Sequence, residues 1–228
     1  MKRIALVSKG KIGDSGSTFN NWYGHWGLSY ATDEFEAESL LETINSISAG
    51  TNINGLSEIV VQDSHKALQF LIDIGVDFIG GLAEGTRVRP CYHNQPIASV
   101  IKSTQQVKGC LLSRLDPDRV EIFENQRVVE LFVNDSGCKG CLSVDSVGSE
   151  LVFKADTVLI GCGGDSGKFK YNITEPGLIG DGLSFTKDIG VRFLNLEYKQ
   201  RVWEFKTNYS ELNYFSIYSF TDNDLYFN

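Results

Sequence analysis

Thr157-Val158-Leu159-Ile160-Gly161-Cys162-Gly163-Gly164 is the stretch whose reading decides the fold class. Its first half is apolar throughout, the mark of a strand buried on both faces of a parallel sheet. Its second half is a glycine turn, where missing Cβ atoms let backbone amides approach a phosphate or a ring. Ile4-Ala5-Leu6-Val7, followed by Ser8-Lys9-Gly10, reads the same way: a short buried strand and its exit turn. Between the two, Glu36, Ala37, Leu40, Leu41, Ile44 and Ile47 recur at helical spacing, with Gly50 as a natural stop. A second helix is predicted from about Ser57 to Ile74, with Ile59, Val60, Ala67, Leu68, Leu71 and Ile72 facing inward and Gly75 at its end. A third is predicted over 97–112, on Ile97, Val100, Ile101, Thr104 and Val107. The period then drops to two. Val120 to Phe123, Val128 to Val133, Cys141 to Val147 and Leu151 to Lys154 alternate as the strands of a meander, and residues 180–190 form a last helix. This order predicts a nucleotide-binding α/β domain with a parallel sheet, a helical insertion over about 33–95 and a small antiparallel meander.

Bulk properties narrow the function classes. The 228 residues are 42% hydrophobic and 22% charged, ordinary for a globular protein, and the formal charge of −8 argues against a nucleic-acid surface. No apolar run approaches the roughly 18 residues of a spanning helix, so no membrane span is expected. The opening Met1-Lys2-Arg3-Ile4 to Gly10 is too short in apolar residues for an export signal, and a cytoplasmic location is the expectation. The five cysteines, Cys91, Cys110, Cys138, Cys141 and Cys162, are odd in number and read as free thiols. Cys138 and Cys141 form a lone CxxC after Asn134-Asp135-Ser136-Gly137. They read as cysteines of a hairpin turn, and no metal site is expected.

Several segments together resemble one family. Ser8-Lys9-Gly10 followed by Gly16-Ser17-Thr18-Phe19, the turn Ile160-Gly161-Cys162-Gly163-Gly164, Thr174-Glu175-Pro176-Gly177, Gly180-Asp181-Gly182 and Asn195-Leu196-Glu197-Tyr198-Lys199-Gln200 occur in the order found in L-aspartate oxidases and their succinate dehydrogenase and fumarate reductase relatives. Phe70 to Phe78 resembles the end of that family's inserted helix, and the likeness covers residues 2–200. The resemblance implies a Rossmann-like FAD-binding domain in an oxidoreductase that oxidises a dicarboxylic substrate. It implies that Ser8 and Lys9 face the ribose, that Gly16, Ser17 and Thr18 lie along the pyrophosphate and flavin, and that the Val128 backbone meets the adenine. Gly163, Gly164 and Asp181 would close the site. Membrane-bound relatives attach FAD through a histidine before the threonine. Ser17 stands there, so FAD is expected to be held non-covalently.

The departures from the family are equally specific. Its first strand and GxGxxG loop, roughly thirty residues before the Ser-Lys-Gly segment, have no counterpart here. The chain therefore reads as a partial FAD-binding domain over 1–200, truncated at both ends. Residues 201–228 form an aromatic-rich tail in place of a capping domain. That tail carries Trp203, Phe205, Tyr209, Tyr214, Phe215, Tyr218, Phe220, Tyr226 and Phe227, expected to pack on the domain or to cover a partner. A partner segment completing the sheet is part of the same expectation. Trp26 stands where a glycine is usual and would crowd the flavin ring. Glu84-Gly85 and His93 fall near the family's catalytic segment but read first as a solvated loop, and His25 and His65 as surface or satisfied histidines. No catalytic residue is assigned. The alternative reading is a non-catalytic degenerate or split subunit that keeps the flavoprotein fold.

Overall fold

The structure is a computed structural model. It describes residues 3–198, except 21–23, 25, 54, 83–86, 88–96, 171 and 173, together with the strand segments 204–206 and 214–216. Among the described residues, nine strands and four α-helices follow one another, with a single 3-10 turn at Ser166–Lys168. The strands are β1 (Ile4–Val7), β2 (Gly27–Ser29), β3 (Ala98–Val100), β4 (Val120–Phe123), β5 (Arg127–Asn134), β6 (Gly137–Val144), β7 (Glu150–Lys154), β8 (Glu204–Lys206) and β9 (Tyr214–Ser216). The helices are α1 (Glu34–Ser48), α2 (Leu56–Asp73), α3 (Thr104–Leu112) and α4 (Asp181–Lys187). The chain divides into two compact units: residues 1–26, 74–77 and 101–192 form the first, and 27–73, 78–100 and 193–228 the second.

The second unit holds the helical insertion. Asp33, in extended backbone, caps α1 by accepting a hydrogen bond from the Glu36 amide at 2.8 Å. The helix ends where Ala49 and then Gly50 turn left-handed. Leu40 of α1 packs against Val61 of α2 and Ala31, with Ala37, Leu41 and Ile44 around them. Burying a side chain such as Val61 or Leu68 contributes about 1.5–3 kcal/mol. The buried face of α2 is Ser57, Val61, Ser64, Leu68 and Leu71. The predicted face is therefore right at Leu68 and Leu71, but Ile59 and Val60 are more than half exposed and Ile72 is exposed as well. Two small serines among the buried positions explain the rotation. The Ser64 hydroxyl donates to the Val61 carbonyl at 2.7 Å and accepts from the Ala31 amide at 3.1 Å, so a polar residue lies inside without loss. β2 and β3 pair antiparallel, and β8 and β9 form a further antiparallel pair.

Two corrections concern residues 97–112. Ala98–Val100 is a strand, and the helix begins only at Thr104, where the Ser103 hydroxyl accepts from the Gln106 amide as its cap. A helix-spaced set of apolar residues is satisfied here by two short elements, because β2 offers a hydrogen-bonding edge for the first of them.

The first unit contains a parallel pair and a three-stranded antiparallel sheet. Val120–Phe123, expected in the meander, pairs instead with β1, parallel, in the register Ile4 with Val120 through Val7 with Phe123. The meander proper runs β5-β6-β7, and Arg127 pairs with Val144 at its start. Cys138 and Cys141 lie in β6, not in the turn before it. Cys141 is buried, and burial pushes its thiol above the ordinary range. Gly140, next to it, has φ 142°, and a Cβ there would sit 1.9 Å from the Phe153 carbonyl oxygen of β7. Only glycine lets these two strands close. Thr157–Ile160, the stretch read as a doubly buried strand, is not a strand: Leu159 is 92% and Ile160 48% exposed. An apolar run becomes a central strand only with hydrogen-bonded neighbours on its edges, and among the described residues none lies beside it. No helix among them is long and apolar enough to cross a membrane.

Candidate functional site

Parallel pairing brings the carboxyl ends of β1 and β4 to one edge. The Ser8 amide donates to the Phe123 carbonyl at 2.8 Å, and the Gln126 amide returns a bond to the Ser8 carbonyl at 2.9 Å. The chain leaving β1 is thereby held against the turn that enters β5, so Lys9 and Arg127 emerge side by side. Clefts at the carboxyl ends of parallel strands are where α/β sheets take ligands.

Asp181, the first residue of α4, stands between the two cations. Its Oδ2 accepts from Lys9 Nζ at 2.7 Å, while its Oδ1 accepts from Arg127 Nε at 2.9 Å with Nη2 at 2.7 Å. Lys9 also donates to the Gly177 carbonyl at 2.8 Å. Burial pushes the Asp181 carboxyl up, but the hydrogen bonds and charges of Lys9 and Arg127 outweigh it and hold the group below the usual range. Asp181 is therefore ionised throughout the neutral range.

The glycine turn adjoins this cluster. The Gly180 amide, just before Asp181, donates to the Gly164 carbonyl at 3.1 Å. A Cβ on Gly182 would lie 3.2 Å from Cys162 Cβ. Gly163 has φ 69°, a left-handed conformation that disfavours any side chain, and its Cβ would meet Leu178 at 2.9 Å. Gly164 borders open space: a Cβ there would meet nothing within 4 Å. Among the described residues, the Gly163 and Gly164 amides find no acceptor. An open backbone with unpartnered donors beside two cations fits a phosphate-bearing ligand.

The structure thus brings Ser8, Lys9, Gly163, Gly164 and Asp181 together. Val128 follows Arg127 directly and sits at a register shift: it pairs with Ser143, and the next pair is Glu130 with Leu142, so Val129 has no partner across. Ser17 joins the Thr174–Gly177 segment, its hydroxyl accepting from the Glu175 amide at 3.1 Å. Gly16 has φ 84° and open space around it, and Thr18 is exposed; neither has a contact to Lys9 or Asp181 among the described residues. Trp26 buries its indole nitrogen without an acceptor among the described residues. Glu84, Gly85, His93 and His25 lie outside the described residues, as do the side chains of the aromatic tail. His65 lies on α2, exposed. No cluster of metal-ligating residues occurs among the described residues.

Arg127 was not read from the sequence. Its one signal is position: it opens a strand whose next residue was already expected at the adenine.

Comparison with known proteins identifies the family. The chain matches the FAD binding domain family over residues 2–209. It is 26% identical over 203 residues to L-aspartate oxidase of Bacillus subtilis (strain 168), covering 86% of this chain and 37% of that protein. Among solved structures it resembles the open conformation of a flavocytochrome c3 fumarate reductase, with a TM-score of 0.70, 14% identity and coverage of 89% of this chain and 43% of that one. It also resembles the Mycobacterium smegmatis Sdh1 complex in the apo form, with a TM-score of 0.68, 16% identity and coverage of 81% and 34%. The chain therefore spans little more than a third of the curated relative it matches. The chain belongs to the FAD binding domain family, as a distant relative of L-aspartate oxidases and of the succinate dehydrogenase and fumarate reductase flavoproteins, and that family implies FAD as its cofactor.

Proposed function

We propose that this chain is the FAD-holding part of a flavin-dependent oxidoreductase that acts on a dicarboxylic substrate, as the names of its relatives indicate for them. The observation that carries the reading is the meeting of the β1 and β4 carboxyl ends, the Lys9–Asp181–Arg127 ion cluster and the open Gly163-Gly164 backbone. When bound, FAD supplies the hydride acceptor.

The chain's own residues hold and orient it in a Rossmann-like arrangement. Ser8 and Lys9 are assigned to the ribose, Gly16, Ser17 and Thr18 to the pyrophosphate side, and the Val128 backbone to the adenine. The amides of Gly163 and Gly164 donate to the ligand, while Asp181 fixes the two cations around it. Ser17 offers no nucleophilic nitrogen, so attachment is non-covalent.

Titrating the full chain with FAD, read by flavin fluorescence and equilibrium dialysis, tests this. Saturable but weak binding is expected, because ordering a long flexible ligand offsets much of what one strand end and one turn contribute. Acid or heat should release all flavin into the supernatant. Binding that never saturates would sink the flavoprotein reading. Flavin fluorescence left on the protein band after denaturing electrophoresis would sink the non-covalent one.

A further inference from the structure

Asp181 is nearly covered, with 13% of its side chain exposed, whereas Lys9 shows 38% and Arg127 52%. The carboxylate therefore lies beneath and the two cations face outward. Within this cluster one negative charge faces two positive ones. A structural ion pair needs one cation; the second exceeds what Asp181 requires.

The guanidinium is also pre-oriented. Its Nε and Nη2 both rest on Asp181 Oδ1, so one edge of the plane is pinned. Nη1 has no partner among the described residues. Guanidinium groups fixed in this way recognise phosphate oxygens through paired, charge-assisted hydrogen bonds. The unpartnered Gly163 and Gly164 amides adjoin the same aspartate through the Gly180 amide bond to the Gly164 carbonyl. None of the motifs that mark the family contains Arg127.

We propose that Arg127, set against Lys9 across Asp181, is a specificity-determining contact for the phosphate of a nucleoside diphosphate, here the adenosine diphosphate half of the cofactor. This rests on the FAD-holding reading above. Arg127 rewards phosphate on the ligand, and the isoalloxazine ring plays no part in its contact.

The test is equilibrium binding of FAD, ADP and adenosine to the full chain and to Arg127→Ala and Arg127→Gln, with thermal unfolding of each. In the wild type, ADP should bind about tenfold more tightly than adenosine. In both variants FAD and ADP should weaken about tenfold while adenosine stays within about twofold, so that the preference for ADP collapses. Raising the salt should weaken FAD less in the variants than in the wild type. If Arg127→Ala does not fold, Arg127→Gln, which keeps part of the stem and two of the five donors but not the charge, carries the comparison. If neither folds, competition of inorganic pyrophosphate with FAD on the wild type decides: displacement supports the contact and its absence overturns it. Unchanged FAD affinity in a folded variant overturns the proposal, as does equal weakening of ADP and adenosine, which would make Arg127 structural only. A wild type that binds neither FAD nor ADP fails at the earlier reading, and that result is distinct from a wild type that binds both with variants that do the same.

Discussion

Replacing Asp181 by alanine should destabilise the chain measurably, and only while the carboxyl is charged. The side chain is mostly buried, and its two oxygens take Lys9 at 2.7 Å and Arg127 Nε at 2.9 Å. Breaking a fully buried pair by removing one partner costs about 3–5 kcal/mol, whereas exposed pairs contribute about 0–1 kcal/mol. Lys9 and Arg127 are partly open to water and can rehydrate, which places Asp181→Ala between these limits, at about 2 kcal/mol. Asp181→Asn keeps the shape and one acceptor for Arg127, and should cost about 1 kcal/mol. Either is a sizeable share of a domain's usual stability of about 5–15 kcal/mol. The pH dependence has a definite sign. The folded carboxyl titrates below its ordinary 3.8, so its contribution is complete above that value and fades as pH falls through the lowered one. Urea unfolding at pH 7 and again near pH 2 checks both parts. A difference from wild type under about 0.5 kcal/mol at pH 7, or one that persists unchanged in acid, would refute the reasoning.

Two further outcomes are expected. Gly163→Ala places a side chain at φ 69° and against Leu178; it should cost about 1–2 kcal/mol and weaken FAD in dialysis, and a variant with wild-type stability and affinity would show that the turn is not held in this conformation. Glu36 offers a second acid-sensitive site: burial raises its carboxyl, but hydrogen bonds from Arg87 and Thr32 outweigh that and hold it at about 2. Its stabilising share is present above the usual 4.5 and is lost as pH falls through about 2. Arg87, whose guanidinium also lies 3.9 Å from the Tyr30 ring centroid, is the partner to remove: in Arg87→Ala the Glu36 carboxyl should titrate higher than in the wild type by carbon-13 NMR, with the Thr32 hydrogen bonds still holding it below its ordinary value, and an unmoved titration would show that Arg87 does not hold it.

Local pattern alone determined much of this protein. The apolar spacing from Glu36 to Ile47 and the stop at Gly50 set α1, the alternation over Val128 to Val133 and Leu151 to Lys154 set the outer strands of the meander, and the order of short motifs placed the chain in its family. These features are legible because helix periodicity, strand alternation and turn glycines each act within a few residues of themselves. Pairing is different, since it depends on what a segment meets. Ile97 to Val107 has helical spacing yet splits, because β2 offers an edge to Ala98–Val100. Val120–Phe123 alternates like its meander neighbours yet lies parallel to β1. Thr157–Ile160 has the composition of a central strand and forms none, because among the described residues no strand flanks it. The site divides along the same line. Ser8, Lys9, Gly163, Gly164 and Asp181 could be named from motifs, but that Asp181 is shared by two cations, and that Arg127 is one of them, follows from a contact 54 positions apart in the chain. No local pattern encodes such a contact: Coulomb attraction and hydrogen bonding act through space, and only the folded backbone decides which charges come within their reach.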